Sequence, residues 1–210
     1  VITGDTKVVE QGKGDGVFIT TTGLGVVPLG RRIGGALARP GDAILVSGTI
    51  GDGWLGLLAQ WGEVADPDGA LLRRYRQPEP RVGLREAMRQ HAKAAADVSD
   101  GLLADSSHIA KASGCRVRVD LERLPLSPGA QAWLDQQPEQ VEGRISLASG
   151  GDDYEIVCAV DPNEAWAFRV AAAAAGVKVS EIGEFVEGEG VSAYYKGRDV
   201  TPSRLGWLHG

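Results

Sequence analysis

Two cysteines, three histidines and one methionine are all that this 210-residue chain has of soft or redox-active side chains. Cys115 and Cys158 stand far apart with no partner Cys or His nearby, which excludes a zinc-ligand spacing and points to reduced core thiols. His91, His108 and His209 sit in unrelated contexts, so a Ser-His-Asp arrangement for nucleophilic hydrolysis has no basis here. No apolar run approaches the roughly 18 residues that a membrane helix needs. The opening, Val1-Ile2-Thr3-Gly4-Asp5, is neither a basic signal sequence nor an initiator methionine, and the expectation is a chain that starts inside a longer protein. Basic residues are outnumbered, 22 against 28 acidic, for a net charge of −6. That balance argues against nucleic-acid backbones, which require a basic surface to displace counterions. It leaves room for a nucleotide, because divalent cations can lie between carboxylates and phosphates.

With 43% hydrophobic and 24% charged residues the chain can build one good core, or one domain and an appendage. Val17-Phe18-Ile19-Thr20-Thr21-Thr22 is rich in β-branched residues and reads as β structure, as does the following Gly23-Leu24-Gly25-Val26-Val27. Arg39-Pro40-Gly41-Asp42 is a turn into the strand Ala43-Ile44-Leu45-Val46. A glycine turn, residues 47–53, then leads to a helix with Trp54, Leu55, Leu58 and Trp61 as its apolar positions. Beyond Pro78 and Pro80 a second helix places Leu84, Ala87, Met88 and His91 on one face, with His91 read as a helix-surface or core-edge residue rather than a ligand. A helix from Leu102 to about Ala112 precedes the alternating strand Cys115-Arg116-Val117-Arg118-Val119-Asp120. Ser127-Pro128 and Asp161-Pro162 each read as an N-cap with proline in the first helical position, the second opening an alanine-rich helix that ends near Ala175-Gly176. Residues 155–160 form a buried-looking strand, and short strands follow near 177–182 and 191–195. Strands and helices mixed with glycine turns indicate an α/β or α+β domain of helices layered on a sheet.

Four acidic or glycine-rich clusters fall at turns: Gly4-Asp5-Thr6, residues 48–52, Asp97-Val98-Ser99-Asp100, and Gly150-Gly151-Asp152-Asp153-Tyr154-Glu155. Closely placed Asp and Ser oxygens at a strand-to-helix junction are the hard ligands that Mg²⁺ prefers. The alternative for Asp100 is a helix cap. Residues 48–52 lack the Gly-Lys-Ser/Thr ending of a phosphate-binding loop and are equally a tight strand-to-helix turn. Two adjacent acids before a buried strand, Asp152 and Asp153, cost solvation energy unless paired, metal-bound or exposed.

These residues resemble a known family. Asp97-Val-Ser-Asp-Gly-Leu-Leu-Ala-Asp105, His108-Ile-Ala-Lys-Ala-Ser-Gly114, Leu124-Pro-Leu-Ser-Pro128, Gly150-Gly-Asp-Asp-Tyr-Glu155, Ile182-Gly183 and Gly206-Trp207-Leu208-His209 look like thiamine-monophosphate kinase. That family belongs to the superfamily of aminoimidazole ribonucleotide synthetase, selenophosphate synthetase and a hydrogenase maturation factor. The resemblance runs in order from about Arg39 to the end, whereas residues 2–27, with Thr3-Gly-Asp-Thr-Lys-Val-Val9, look closer to the hydrogenase maturation factor. It implies a remnant of an N-terminal nucleotide-binding and dimerisation domain at 1–38 and a C-terminal α/β domain of the aminoimidazole ribonucleotide synthetase type at 39–210.

The resemblance also implies roles. Asp5, Asp97 and Asp100 would bind Mg²⁺, Gly4, Asp5 and Ser99 would lie at ATP, and Asp152 and Trp207 would contact thiamine monophosphate. An acid and an indole face both suit a cationic heterocycle. The alternative for Trp207 is packing on the core. The implied reaction is phosphoryl transfer from ATP to thiamine monophosphate in a cytoplasmic enzyme, homodimeric at full length. The accepting phosphate is already anionic, so no residue is assigned as general base or nucleophile. The family's N-terminal third, with an Asp-Asp-Ala-Ala-like metal motif, has no counterpart here. Gly35 stands where the family has an Arg near ATP, and Gly210 replaces its usual Phe. The alternatives are a maturation-factor-like ATP-dependent enzyme, against which the missing terminal Cys counts, and a non-catalytic binding or assembly protein of the same fold.

Overall fold

The computed structural model describes residues 33–207. Gly4, Asp5, the β-rich stretch 17–27 and nearly all of the expected segment 1–38 lie outside the described residues, as do His209 and Gly210. Ala43–Ser47, the apolar run behind the Pro-Gly turn, forms β1 and is buried at every position. Its neighbours in space are β4 (Glu155–Val160) and β5 (Val179–Val186), both antiparallel to it. β2 (Ala92–Val98) pairs with β4, β3 (Arg116–Asp120) with β5 and, in parallel, with β6 (Gly190–Tyr195), and β7 (Arg198–Asp199) closes the order β2-β4-β1-β5-β3-β6-β7.

Alternation along the central strands divides the core in two. Ile44, Val46, Val98, Val117, Val157 and Ala159 face α4 (Leu102–Ser113), which contributes Leu102, Leu103 and Ile109. Leu45, Cys158 and Val160 face the opposite way, onto α3 (Arg85–His91) and α7 (Ala165–Ala174), with Met88 and Phe168 among the contacts. A third cluster joins α1 (Asp52–Gln60), α2 (Ala70–Arg76), α5 (Pro128–Asp135) and α6 (Gln140–Ser149) through Leu55, Leu71, Leu134 and Leu147. The expected α/β layering is therefore present, on a largely antiparallel sheet. No helix among the described residues is long and apolar enough to cross a membrane.

Several local expectations hold and others shift. Ser127 caps α5 by accepting the Ala130 N–H at 3.0 Å, with Pro128 in the first turn. His91 sits at the core edge with its Nδ1 2.7 Å from Glu164. Both cysteines are free and buried. Asp161-Pro162 does not open α7: the Asp161 carboxylate accepts the Asn163 N–H and its carbonyl the Glu164 N–H, closing a separate turn, so the helix begins at Ala165. Trp61 lies just past the end of α1 and is exposed, while Trp54 packs edge-on against Trp133.

Glu155, fully buried at the head of β4, ties the sheet to the segment between α1 and α3. Its carboxylate receives Ser47 Oγ at 2.5 Å, Arg74 Nη2 at 2.5 Å, and the Nε and Nη2 of Arg81 at 2.6 and 2.5 Å. Gly48, at φ +60°, leaves the room: a Cβ there would lie 2.0 Å from Glu155 Oε1. Removing one side of a buried ion pair leaves uncompensated charge and costs about 3–5 kcal/mol. Glu155→Ala is accordingly expected to lower stability in urea denaturation by about that amount, and an unchanged midpoint would contradict the assignment.

Candidate functional site

Asp97 is the penultimate residue of β2 and exposed; Ser99, Asp100 and Gly101 then turn the chain into α4. Gly101 is the helix N-cap at φ +118°, so the capping position itself carries no side chain. Asp100, the other candidate for that position, lies one residue before it. The turn is held by its backbone. A single oxygen of Asp105, Oδ2, accepts the N–H of Ser99 at 3.0 Å and of Asp100 at 3.1 Å. The carbonyl of Ser99 accepts the Asp152 N–H at 2.9 Å, and the carbonyl of Asp100 accepts the Trp207 N–H at 2.8 Å.

Those bonds draw three distant segments together. Residues 150–154 lie against the turn, with the Tyr154 N–H also donating to the Val98 carbonyl at 2.7 Å. Residues 206–207 also lie close to the turn, and a Cβ on Gly206 would sit 2.3 Å from the Asp100 carbonyl. Ser99, Asp100, Asp152 and Trp207, expected from sequence to share a site, are thus linked through their backbones. Asp97 belongs to the same strand end. Gly4 and Asp5 lie outside the described residues. Trp207 is 62% exposed, with the Arg204 guanidinium 5.7 Å from its ring centroid, so it does not pack on the core.

The Gly-Gly-Asp-Asp-Tyr-Glu motif divides its acids by backbone conformation. Asp152 and Tyr154 adopt left-handed φ values of +66° and +50°, which cost non-glycine residues about 1 kcal/mol or more each. The Tyr154 hydroxyl donates to Asp152 Oδ1 at 3.2 Å. Asp153 points inward instead, fully buried, and accepts the N–H of Gly51 at 2.8 Å and of Gly53 at 2.9 Å. The glycine turn before α1 therefore binds an internal carboxylate with its free amides, and the tight-turn reading of residues 48–52 is the one realised. Asp52 accepts hydroxyl bonds from Thr49 and Ser127, both at 2.5 Å.

Burial raises the Asp153 carboxyl to about 8 against the opposing pull of the Gly51 and Gly53 amides. Burial likewise lifts Asp105 to about 6, opposed first by the Asp100 amide. Asp105 and Asp153 are the residues that sequence reasoning left without roles. An acid early in a helix was a legible signal for the first, since such side chains reach back to orphan amides. Nothing in sequence distinguishes Asp153 from Asp152.

Residues 39–196 match the family model of the AIR synthase related protein, C-terminal domain. The chain belongs to this family. Over 194 residues it is 88% identical to a thiamine-monophosphate kinase of Caulobacter vibrioides, covering 92% of this chain and 55% of that protein. A solved structure described as AaThiL complexed with AMPPCP and TMP superimposes with a TM-score of 0.65 at 32% identity, over 84% of this chain and 54% of that one. A separate match, 70% identical over 60 residues, is to carbamoyl dehydratase HypE of Cupriavidus necator, covering 29% of this chain and 17% of that protein. The likeness to a hydrogenase maturation factor thus appears beside that to the kinase. The chain spans about half the length of the kinase relative.

Asp153 is expected to give this AIR synthase-type domain a pH-dependent stability. Its folded value of about 8 lies above the ordinary 3.8, so its contribution to stability is fully present below about 4 and is lost as pH rises through about 8. Thermal unfolding at pH 5 to 8 is expected to show this loss in the unaltered chain and not in Asp153→Asn. That variant should be less stable at pH 5 by about 1–3 kcal/mol, because one backbone N–H loses its acceptor. Parallel pH profiles for the two proteins would contradict the assignment.

Proposed function

We propose that this chain is the nucleotide- and substrate-facing part of an enzyme that phosphorylates thiamine monophosphate to thiamine diphosphate with ATP. The observation that carries the reading is the pair of backbone bonds, Asp152 N–H to Ser99 carbonyl and Trp207 N–H to Asp100 carbonyl. They set oxygen-rich side chains beside an acid and an exposed indole. The kinase relatives, one of them solved with AMPPCP and TMP, support the same reaction.

Asp97, Ser99 and Asp100 offer the hard oxygen donors of a Mg²⁺ site. Among the described residues no group of three or more His, Cys, Asp or Glu stands close enough to enclose an ion. That fits Mg²⁺, which is commonly held by one or two carboxylates together with phosphates and water. Bound there, Mg²⁺ would neutralise phosphate charge. The carboxylates hold their positions on the strand end and the pinned turn. Asp152 faces the positive charge of the thiamine heterocycle, and the Trp207 indole offers it an aromatic surface. Catalysis is positioning: the acceptor phosphate needs no deprotonation, and the residues bring two anions into line. For Asp5 and Gly4, which lie outside the described residues, the reading keeps the metal and nucleotide roles that the resemblance implies, and it also includes a cytoplasmic homodimer and a domain boundary near residue 38.

Calorimetric titration with AMPPCP tests it. Binding is expected with Mg²⁺ and lost in EDTA, and Asp97→Asn and Asp100→Asn should each weaken it by about tenfold or more. ADP formation should require thiamine monophosphate. Equal affinity in EDTA would overturn the metal assignment, and ADP formation driven by a carboxamide substrate instead would favour the HypE-like alternative.

A further inference from the structure

Asp105 is buried on α4 and its Oδ2 takes the two N–H groups of Ser99 and Asp100, the residues whose side chains the proposed function places at nucleotide and metal. The remaining backbone groups of those two residues are committed to Asp152 and Trp207. All four backbone polar groups of Ser99 and Asp100 are therefore paired. Asp105 thus holds the backbone of both donor residues from within the helix. Its second oxygen, Oδ1, turns towards His108 Nδ1 at 3.6 Å and makes no bond to the turn.

We infer that Asp105 is a positioning residue for the metal–nucleotide site, acting by the placement of one oxygen rather than by its charge. The inference rests on the functional reading above. Because both amides converge on the same oxygen, an asparagine can present its carbonyl there and turn its NH₂ to His108, keeping both bonds without the charge. A glutamate keeps the charge and moves the oxygen by one methylene. Position and charge therefore separate in two conservative variants.

The test measures Mg²⁺–AMPPCP affinity by calorimetry, thermal midpoints, and hydrogen exchange at the Ser99 and Asp100 amides in the unaltered chain, Asp105→Asn and Asp105→Glu. Asp105→Asn is expected to keep amide protection and to bind within about threefold of the unaltered chain. Asp105→Glu should lose protection at both amides and bind about tenfold or more weakly, a difference of about 1.4 kcal/mol. A thermal midpoint near the unaltered value in Asp105→Glu separates the loss from general unfolding. The reverse order, with Glu binding well and Asn poorly, would show that charge matters and overturn the inference. Deprotected amides with unchanged affinity would also overturn it. No binding by the unaltered chain, with or without Mg²⁺, would remove the functional reading itself and this inference with it.

Discussion

Four backbone hydrogen bonds at two consecutive residues hold this site together. Both N–H groups of Ser99 and Asp100 go to Asp105, and their carbonyls go to Asp152 and Trp207. Each partner comes from a different segment, so the turn is the point at which α4, the residue 150–154 loop and the C-terminal stretch meet. A buried peptide group left unpaired would cost about as much as a lost hydrogen bond, and here each one has its partner. A loop held in this way can present charged groups at a fixed place, which metal-assisted phosphoryl transfer requires.

The neighbouring acidic motif achieves the complementary division. Asp153 and Glu155 are turned inward, one to the free amides before α1 and the other to two guanidinium groups and Ser47. Asp152, between them and the β2–α4 turn, is in a left-handed conformation. The two structural acids lock the loop against α1 and β1. The proposed substrate-facing acid occupies the strained position, a pattern in which local cost is met by surrounding packing. Close approach is part of the same arrangement, since a Cβ on Gly53 would lie 2.2 Å from the Asp152 carbonyl.

Much of this was legible in the chain. The strands at 43–47, 116–120 and 155–160 carry apolar or alternating patterns strong enough to read directly, and Ser127-Pro128 marks a real helix start. α6 has no readable pattern in sequence, because Gly143 interrupts a weakly amphipathic stretch; in the fold a Cβ there would come 2.6 Å from Leu134 Cδ1, so packing selects the glycine that obscures the helix. Asp161-Pro162 misled because the same cap chemistry closes an isolated turn. In the site, the motifs identified the side chains, and the family resemblance supplied their roles. The bonds that bring Asp152 and Trp207 to the turn are made by backbone atoms across long sequence separations. Such bonds ask only for an N–H or a carbonyl from the residues that make them, and the close approach shows in sequence only as the neighbouring glycines Gly151 and Gly206.

The most direct measurement is hydrogen exchange along the chain with Mg²⁺, AMPPCP and thiamine monophosphate added singly and together. If the three segments are one site, protection should rise jointly in residues 97–101, 150–154 and 206–207 when all three are present, and the nucleotide's share of it should vanish in EDTA. Protection confined to one segment, or independent of Mg²⁺, would contradict a shared metal–nucleotide and substrate site.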